Sequence, residues 1–160
     1  MDEVSSLSSY NTMTNIKIER ITSADGSTAE AISLLLKQLS SQEFSFSERE
    51  LAALVSDPSS TLFLLFAEGK IAGMLTLGTY LSPTGRKAWI EDVVVDSPYR
   101  GKGYGKMLVE YAIAYVGTLS PCTLMLTSNP QREAANALYR TSGFEQKITN
   151  VYKLNCPDNE

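Results

Sequence analysis

The sequence predicts an α+β fold, and three observations carry that expectation. Antiparallel hairpin signals come first, strand and helix signals then alternate as β-α-β-α-β, and neither an internal repeat nor a linker interrupts them. At 160 residues the chain is sized for one domain with a substantial core. Its 43% apolar and 20% charged residues are ordinary for a globular protein.

The elements follow in order. Residues 1–14, MDEVSSLSSYNTMT, are rich in Ser and Thr without patterning, and are expected to form a flexible extension before a single domain over 15–160. Ile16 to Ile21 alternates as a first strand. From Thr28 to about Gln38 apolar residues recur at helical spacing, after the turn-like Asp25-Gly26-Ser27. Ser45 or Ser47 caps a second helix with Glu48 and Glu50 in its first turn, and Asp57-Pro58 ends it. Leu62–Ala67 and Ile71–Tyr80 flank Glu68-Gly69-Lys70 as an antiparallel hairpin. Ser82-Pro83-Thr84-Gly85 turns into a strand over Ala88–Val95.

Residues 100–106, RGKGYGK, come next, and Met107–Val116 has helical spacing. Pro121 to Thr127 is strand-like. Asn129-Pro130 is expected to open a helix, with proline at its first position, that runs to about Thr141 and stops at Gly143. Phe144–Leu154 closes the chain with strand-like residues.

Composition also removes functions. A net charge of −4 and an isoelectric point of about 4.9 disfavour nucleic acid or an anionic membrane as partner. No run approaches the roughly 20 apolar residues that span a bilayer, and no signal-peptide core is expected at the N-terminus. Cys122 and Cys156 make neither a metal-ligand spacing nor a disulfide framework, so a cytoplasmic location fits. The chain has no histidine. Ser-His-Asp and Cys-His catalysis, His-ligated zinc and the usual general base are thereby removed, and no metal is expected. Acid–base chemistry falls to carboxylates, tyrosine, cysteine or water.

RGKGYGK joins a buried strand to a helix start, where free backbone N–H groups and the helix dipole favour an anion. Arg100, Lys102 and Lys106 add charge, which suits phosphate or pyrophosphate. A Walker loop needs four residues between its glycine and Gly-Lys, whereas Gly101 to Gly105 leaves three and Met107 follows Lys106. The dinucleotide pattern Gly-x-Gly-x-x-Gly fails on the even spacing of Gly101, Gly103 and Gly105.

Arg-x-x-Gly-x-Gly does fit, as Arg100, Gly103 and Gly105. Here the sequence resembles the GNAT superfamily of acetyl-CoA-dependent N-acetyltransferases. WIEDVVVDSPYRGKGYGKML is similar to that family's central strand, pyrophosphate loop and following helix. A second motif lies in NPQREAANALYRTSGFE, as Ala135, Leu138, Tyr139, Gly143 and Phe144 at family spacing. The resemblance covers about residues 60–154. It implies a GNAT fold with a mixed, twisted sheet of roughly six to seven strands flanked by about four helices.

The resemblance further implies acetyl-CoA as co-substrate. Backbone groups of Val93, Val94 and Val95 would pair with its pantetheine arm as another strand would. Amides from Arg100 through Gly101, Lys102, Gly103, Tyr104 and Gly105 to Lys106 would cradle its pyrophosphate. The Lys102 and Lys106 side chains either supplement this cradle or are simply solvated. Tyr139 would give a proton or hydrogen bond to the departing sulfur, and an ordinary tyrosine pKa near 10 keeps it protonated for that task. The alternative is a core tyrosine beside Phe144.

The family often has asparagine where this chain has Arg132, seven residues before the tyrosine. Asn136 and Arg132 would share a helical face with Tyr139, and Asn129 is a further candidate for a cofactor contact. Arg132 either meets CoA phosphate or pairs with Glu133 or Glu110. Glu91 is the first candidate for general base and Asp92 the second; strand alternation sends them to opposite faces. Otherwise both are structural or bind substrate charge. Cys122 reads as core rather than nucleophile, which favours direct transfer in a ternary complex.

The acceptor is expected to be a primary amine of a small molecule or a protein. Other readings are an acyltransferase using another acyl-CoA, a non-catalytic CoA-binding sensor or interaction module, and last a nucleic-acid-binding module. Folds of this kind often form homodimers.

Overall fold

A computed structural model describes residues 15–40 and 42–157, so the expected extension over 1–14 lies outside the described residues. A five-stranded sheet runs in the order β1 (Ile16–Arg20), β2 (Ser60–Ala67), β3 (Lys70–Ser82), β4 (Gly85–Val95) and β5 (Cys122–Met125). Pairing is antiparallel from β1 to β4, and β5 joins parallel to β4. Helices α1 (Gly26–Leu39) and α2 (Glu48–Ser56) precede β2, α3 (Tyr104–Gly117) links β4 to β5, and α4 (Glu133–Thr141) follows β5.

The caps explain where the first helices begin. Asp25 accepts the Thr28 amide at 2.8 Å and the Ser27 and Thr28 hydroxyls at 2.7 Å, so α1 starts two residues before its apolar pattern does. These bonds, that from the Ser27 hydroxyl foremost, hold the Asp25 pKa down to about 2. Of the two serines that could cap α2, Ser47 does so, in a capping box with Glu50.

The sheet separates two apolar layers. Leu62 and Leu64 of β2 face α1 and α2 with Met74, while Phe63 and Leu65 face α3 with Leu75, Leu77 and Leu108. β2 is thus buried on both faces, and its sequence is an unbroken apolar run for that reason. Gly73 is required where β3 meets the end of β4. A Cβ there would stand 3.0 Å from the Val94 carbonyl and 3.1 Å from Leu108.

Two expected elements differ. The sheet has five strands among the described residues, because Phe144–Leu154 forms no strand and joins none of the five. Helix α4 begins at Glu133 and not at Pro130. Asn129 makes the difference: its side chain accepts the Gln131 amide at 2.9 Å and its carbonyl the Arg132 amide at 3.0 Å. Both bonds close a turn before the helix, with Pro130 inside it.

Candidate active site

β4 and β5 run together only from Arg86–Cys122 to Trp89–Met125. Beyond Trp89, β4 continues to Val95 without a partner on that side among the described residues, and the chain after Met125 leaves the sheet. A cleft of about 240 Å³ opens in the fork, lined by Leu39, Ile90, Glu91, Asp92, Val93, Leu126, Thr127, Arg132 and Tyr139. A second hollow of about 290 Å³ adjoins it through Leu39, Val93 and Arg132, and reaches Gln38, Val94, Val95 and Arg100.

A β-bulge sets this geometry. Thr76 pairs with Glu91 and Met74 with Val94, so Asp92 and Val93 together face one residue of β3. Asp92 takes the left-handed conformation, φ 51°, which aspartate tolerates better than most residues. The bulge also exchanges the faces of β4. Ala88 and Ile90 face α3, whereas Val94, which simple alternation would put beside them, packs with α1 and α2. The expectation that Glu91 and Asp92 point apart into separate spaces is corrected by the same feature, since both line the one cleft.

Both carboxylates remain substantially exposed, yet their pKa values are raised. For Glu91 the cause is partial burial and then the Asp92 charge beside it; for Asp92 it is burial. Tyr139 lies across the cleft on α4, 8% exposed, with its ring edge-on to Phe144 at 6.0 Å. Burial raises its pKa, while Arg132 acts in the opposite direction. Among the described residues no hydrogen bond engages its hydroxyl.

Arg132 forms no ion pair among the described residues, and Glu110, one of its expected partners, is 3.6 Å from Lys106 instead. It stands at the N-cap of α4, where it lines both hollows. Asn136 is on the following turn, but its amide donates to the Asn129 carbonyl at 2.9 Å and thereby ties down the turn. Neither Asn129 nor Asn136 lines the cleft. Cys122 is half-buried at the start of β5 and packs on the main core, away from the cleft.

The glycine loop follows β4. Gly103 is the N-cap of α3 at φ 81°, a left-handed turn without a side-chain cap, and Gly101 is similar at φ 77°. Apart from their immediate chain neighbours, no heavy atom of the described residues lies within 4 Å of a Cβ built on either, and no acidic residue sits in the first turn. The opening amides of α3 are therefore free of side-chain caps, on open ground. Tyr104 is buried and stacks with Tyr99 at 6.3 Å, Lys102 lies over Tyr99 at 5.5 Å, and Lys106 pairs with Glu110.

Sequence reasoning missed Gln38. Its carbonyl accepts the Ser97 amide at 2.9 Å and an Arg100 nitrogen at 3.2 Å, and its amide donates to Asp96 at 2.7 Å. Arg100 Nε in turn donates to the Val95 carbonyl at 3.0 Å. The end of α1 is thus clamped to the glycine loop, and the Arg100 side chain is spent on the loop's own frame.

Comparison with known proteins gives concordant findings. A model of the acetyltransferase (GNAT) family matches residues 29–144. An uncharacterized N-acetyltransferase of Bacillus subtilis, YhdJ, is 34% identical over 92 residues, which make up 57% of this chain and 65% of that protein's length. An aminoglycoside acetyltransferase, meta-AAC0020, from an uncultured soil metagenomic sample superposes with a TM-score of 0.74 at 22% identity, covering 88% of this chain and 97% of the other. Glucosamine-6-phosphate N-acetyltransferase from Arabidopsis thaliana gives 0.72 at 23%, with 87% and 97% covered. At these identities the two structures speak for the fold.

Proposed function

The chain belongs to the acetyltransferase (GNAT) family, and from that premise we propose that it transfers an acetyl group from acetyl-CoA to a primary amine by direct attack within a ternary complex. The observation that carries the proposal is the fork between β4 and β5. It sets Glu91 and Asp92 opposite Tyr139 and leads along the free side of β4 toward the uncapped start of α3.

The donor set fits acetyl-CoA. Its amide-bearing pantetheine arm matches an unpartnered strand edge at Val93–Val95, and its pyrophosphate matches free N–H groups from Gly101 to Lys106, where two left-handed glycines leave open space. Arg132, unpaired among the described residues and bordering both hollows, supplies a cation beside the same path. Asn129 and Asn136 act on the cofactor indirectly, by fixing the turn that carries Arg132.

Transfer needs the amine neutral, so a carboxylate at the fork takes the ammonium proton directly or through water. Partial burial, and then the Asp92 charge, raise the Glu91 pKa and make it a better base than an ordinary carboxylate. The amine nitrogen then bonds to the acetyl carbon, the carbon–sulfur bond breaks, and Tyr139 donates to the departing sulfur. Its raised pKa keeps that proton in place at neutral pH. Acidic side chains at the cleft also favour a cationic acceptor, whether a small amine or a protein amine.

A coupled assay tests this reading. With acetyl-CoA and a panel of amines, amino acids, aminoglycosides and protein N-termini, free thiol is expected to appear together with acetylated product for one class of acceptor. Initial-rate lines that intersect accord with direct transfer, and parallel lines contradict it. Acetyl-CoA binding without transfer across the panel would favour a CoA-sensing module.

A further inference from the structure

We propose that Gln38 is a positioning residue for the cofactor: from the end of α1 it presets the glycine loop in the shape that receives the acetyl-CoA pyrophosphate. This role rests on the reading of the loop given above. It adds a side chain that acts through the loop's frame, from an element 60 residues away that sequence motifs do not connect to it.

The loop has little to hold it at its centre. Gly101 and Gly103 take left-handed conformations in open space, and glycine leaves such a backbone many alternative shapes. Amides bind a phosphate well only when they already converge, because ordering them during binding subtracts from affinity. At the loop's exit α3 does the ordering, with Tyr104 buried and the Met107 amide donating to the Gly103 carbonyl at 3.1 Å. At its entry the Asp96 amide donates to Ala72 of β3 at 2.8 Å, and the Tyr99 and Arg100 amides close a tight turn onto Asp96 and Ser97. That turn is held from outside by Gln38.

One amide side chain reaches three residues there. Its oxygen accepts the Ser97 amide at 2.9 Å and the Arg100 guanidinium at 3.2 Å, while its nitrogen donates to the Asp96 carboxylate at 2.7 Å. Accepting and donating from one tip is what an amide does and a carboxylate or ammonium does not. Arg100 is held a second time by the Val95 carbonyl at 3.0 Å, and it leads directly into Gly101. Gln38 is exposed, so packing gives no reason for its place. The helix that carries it is anchored, since Ala29, Ile32 and Leu35 are buried against Leu62, Leu64, Met74 and Val94 of the sheet. A fixed helix thus presents a polar tip to the loop, and its next residue, Leu39, borders both hollows.

Calorimetric titration with acetyl-CoA and thermal melts test this on the parent, Gln38→Met, Gln38→Glu, and Gln38→Glu combined with Asp96→Asn. Methionine keeps the length and helix preference and removes all three bonds. Affinity is expected to fall roughly 10-fold, the worth of about one net hydrogen bond, with little change in melting temperature. Glutamate sets its charge beside Asp96 and should also weaken binding. Adding Asp96→Asn gives the new carboxylate a donor at unchanged net charge, and affinity is expected to return to within about 3-fold of the parent. Equal affinity of Gln38→Met and the parent overturns the proposal, and a lowered melting temperature alongside it would mark a purely structural clamp. A double variant as weak as Gln38→Glu overturns it too. A parent that binds no acetyl-CoA overturns the reading of the loop itself, and this role with it.

Discussion

Replacing Gly103 and Gly105 separately by alanine distinguishes a loop that binds phosphate from one that merely turns. Gly103 caps α3 at φ 81°, and an alanine forced into that conformation costs about 1–2 kcal/mol. For a chain of this size that is a fall of roughly 2–8 °C in melting temperature. Relief of the strain turns the following amides away from their shared direction. Each lost N–H bond to a charged phosphate is worth about 1.5–3 kcal/mol, so acetyl-CoA should bind roughly 10- to 100-fold more weakly. Gly105 is the control. It lies inside α3, and a Cβ there would meet Leu138 at 3.6 Å and Val95 at 3.8 Å, which are ordinary contacts. Gly105→Ala should leave the melting temperature unchanged or raise it by the helix preference of alanine, up to about 1 kcal/mol. Calorimetric titration with acetyl-CoA and thermal melts of the three proteins provide both readouts. Equal affinity of Gly103→Ala and the parent, or equal losses in the two variants, would refute the reasoning.

Tyr139→Phe keeps the ring against Phe144, and no hydrogen bond among the described residues is lost. Turnover should fall about 100-fold or more while acetyl-CoA affinity and melting temperature stay level, as steady-state rates, titration and melts will report. The rate of the parent should rise with pH through the raised pKa of Glu91, and Glu91→Gln should remove that limb; loss of the limb only in Asp92→Asn would move the base to Asp92. Because folding raises the Glu91 pKa, the folded state holds its proton more tightly, and stability declines as pH climbs from 4.5 through the raised value. Denaturant titrations across that window should show a shallower decline for Glu91→Gln. Gly73→Ala should destabilise by about 1–3 kcal/mol in the same titrations, since the Val94 carbonyl 3.0 Å away is backbone and cannot yield as a side chain would.

Local chemistry made most of the fold legible from sequence. The hairpin around Glu68-Gly69-Lys70, the capping box at Ser47 and the glycine loop before α3 each depend on residues within a few positions. The features that escaped depend on distance. The bulge at Asp92 is a mismatch of register between β3 and β4, a property of how two strands pair and not of the one residue that occupies it. Gln38 acts on a loop 58 to 62 residues away. Asn129-Pro130 suggested a helix start, and the bonds that Asn129 makes postponed it by one turn. Phe144–Leu154 carries the composition of a strand, but strand residues need a partner, and among the described residues none pairs with them.

Amide hydrogen exchange with and without acetyl-CoA puts the central claim, that the fork between β4 and β5 and the loop beyond it hold this cofactor, to the most direct test. Exchange should slow at Val93–Val95 and from Gly101 to Lys106, with α2 and the hairpin turn at Glu68-Gly69 unchanged. Unaltered exchange along β4 and the loop at saturating acetyl-CoA, or protection confined to another part of the sheet, would contradict it.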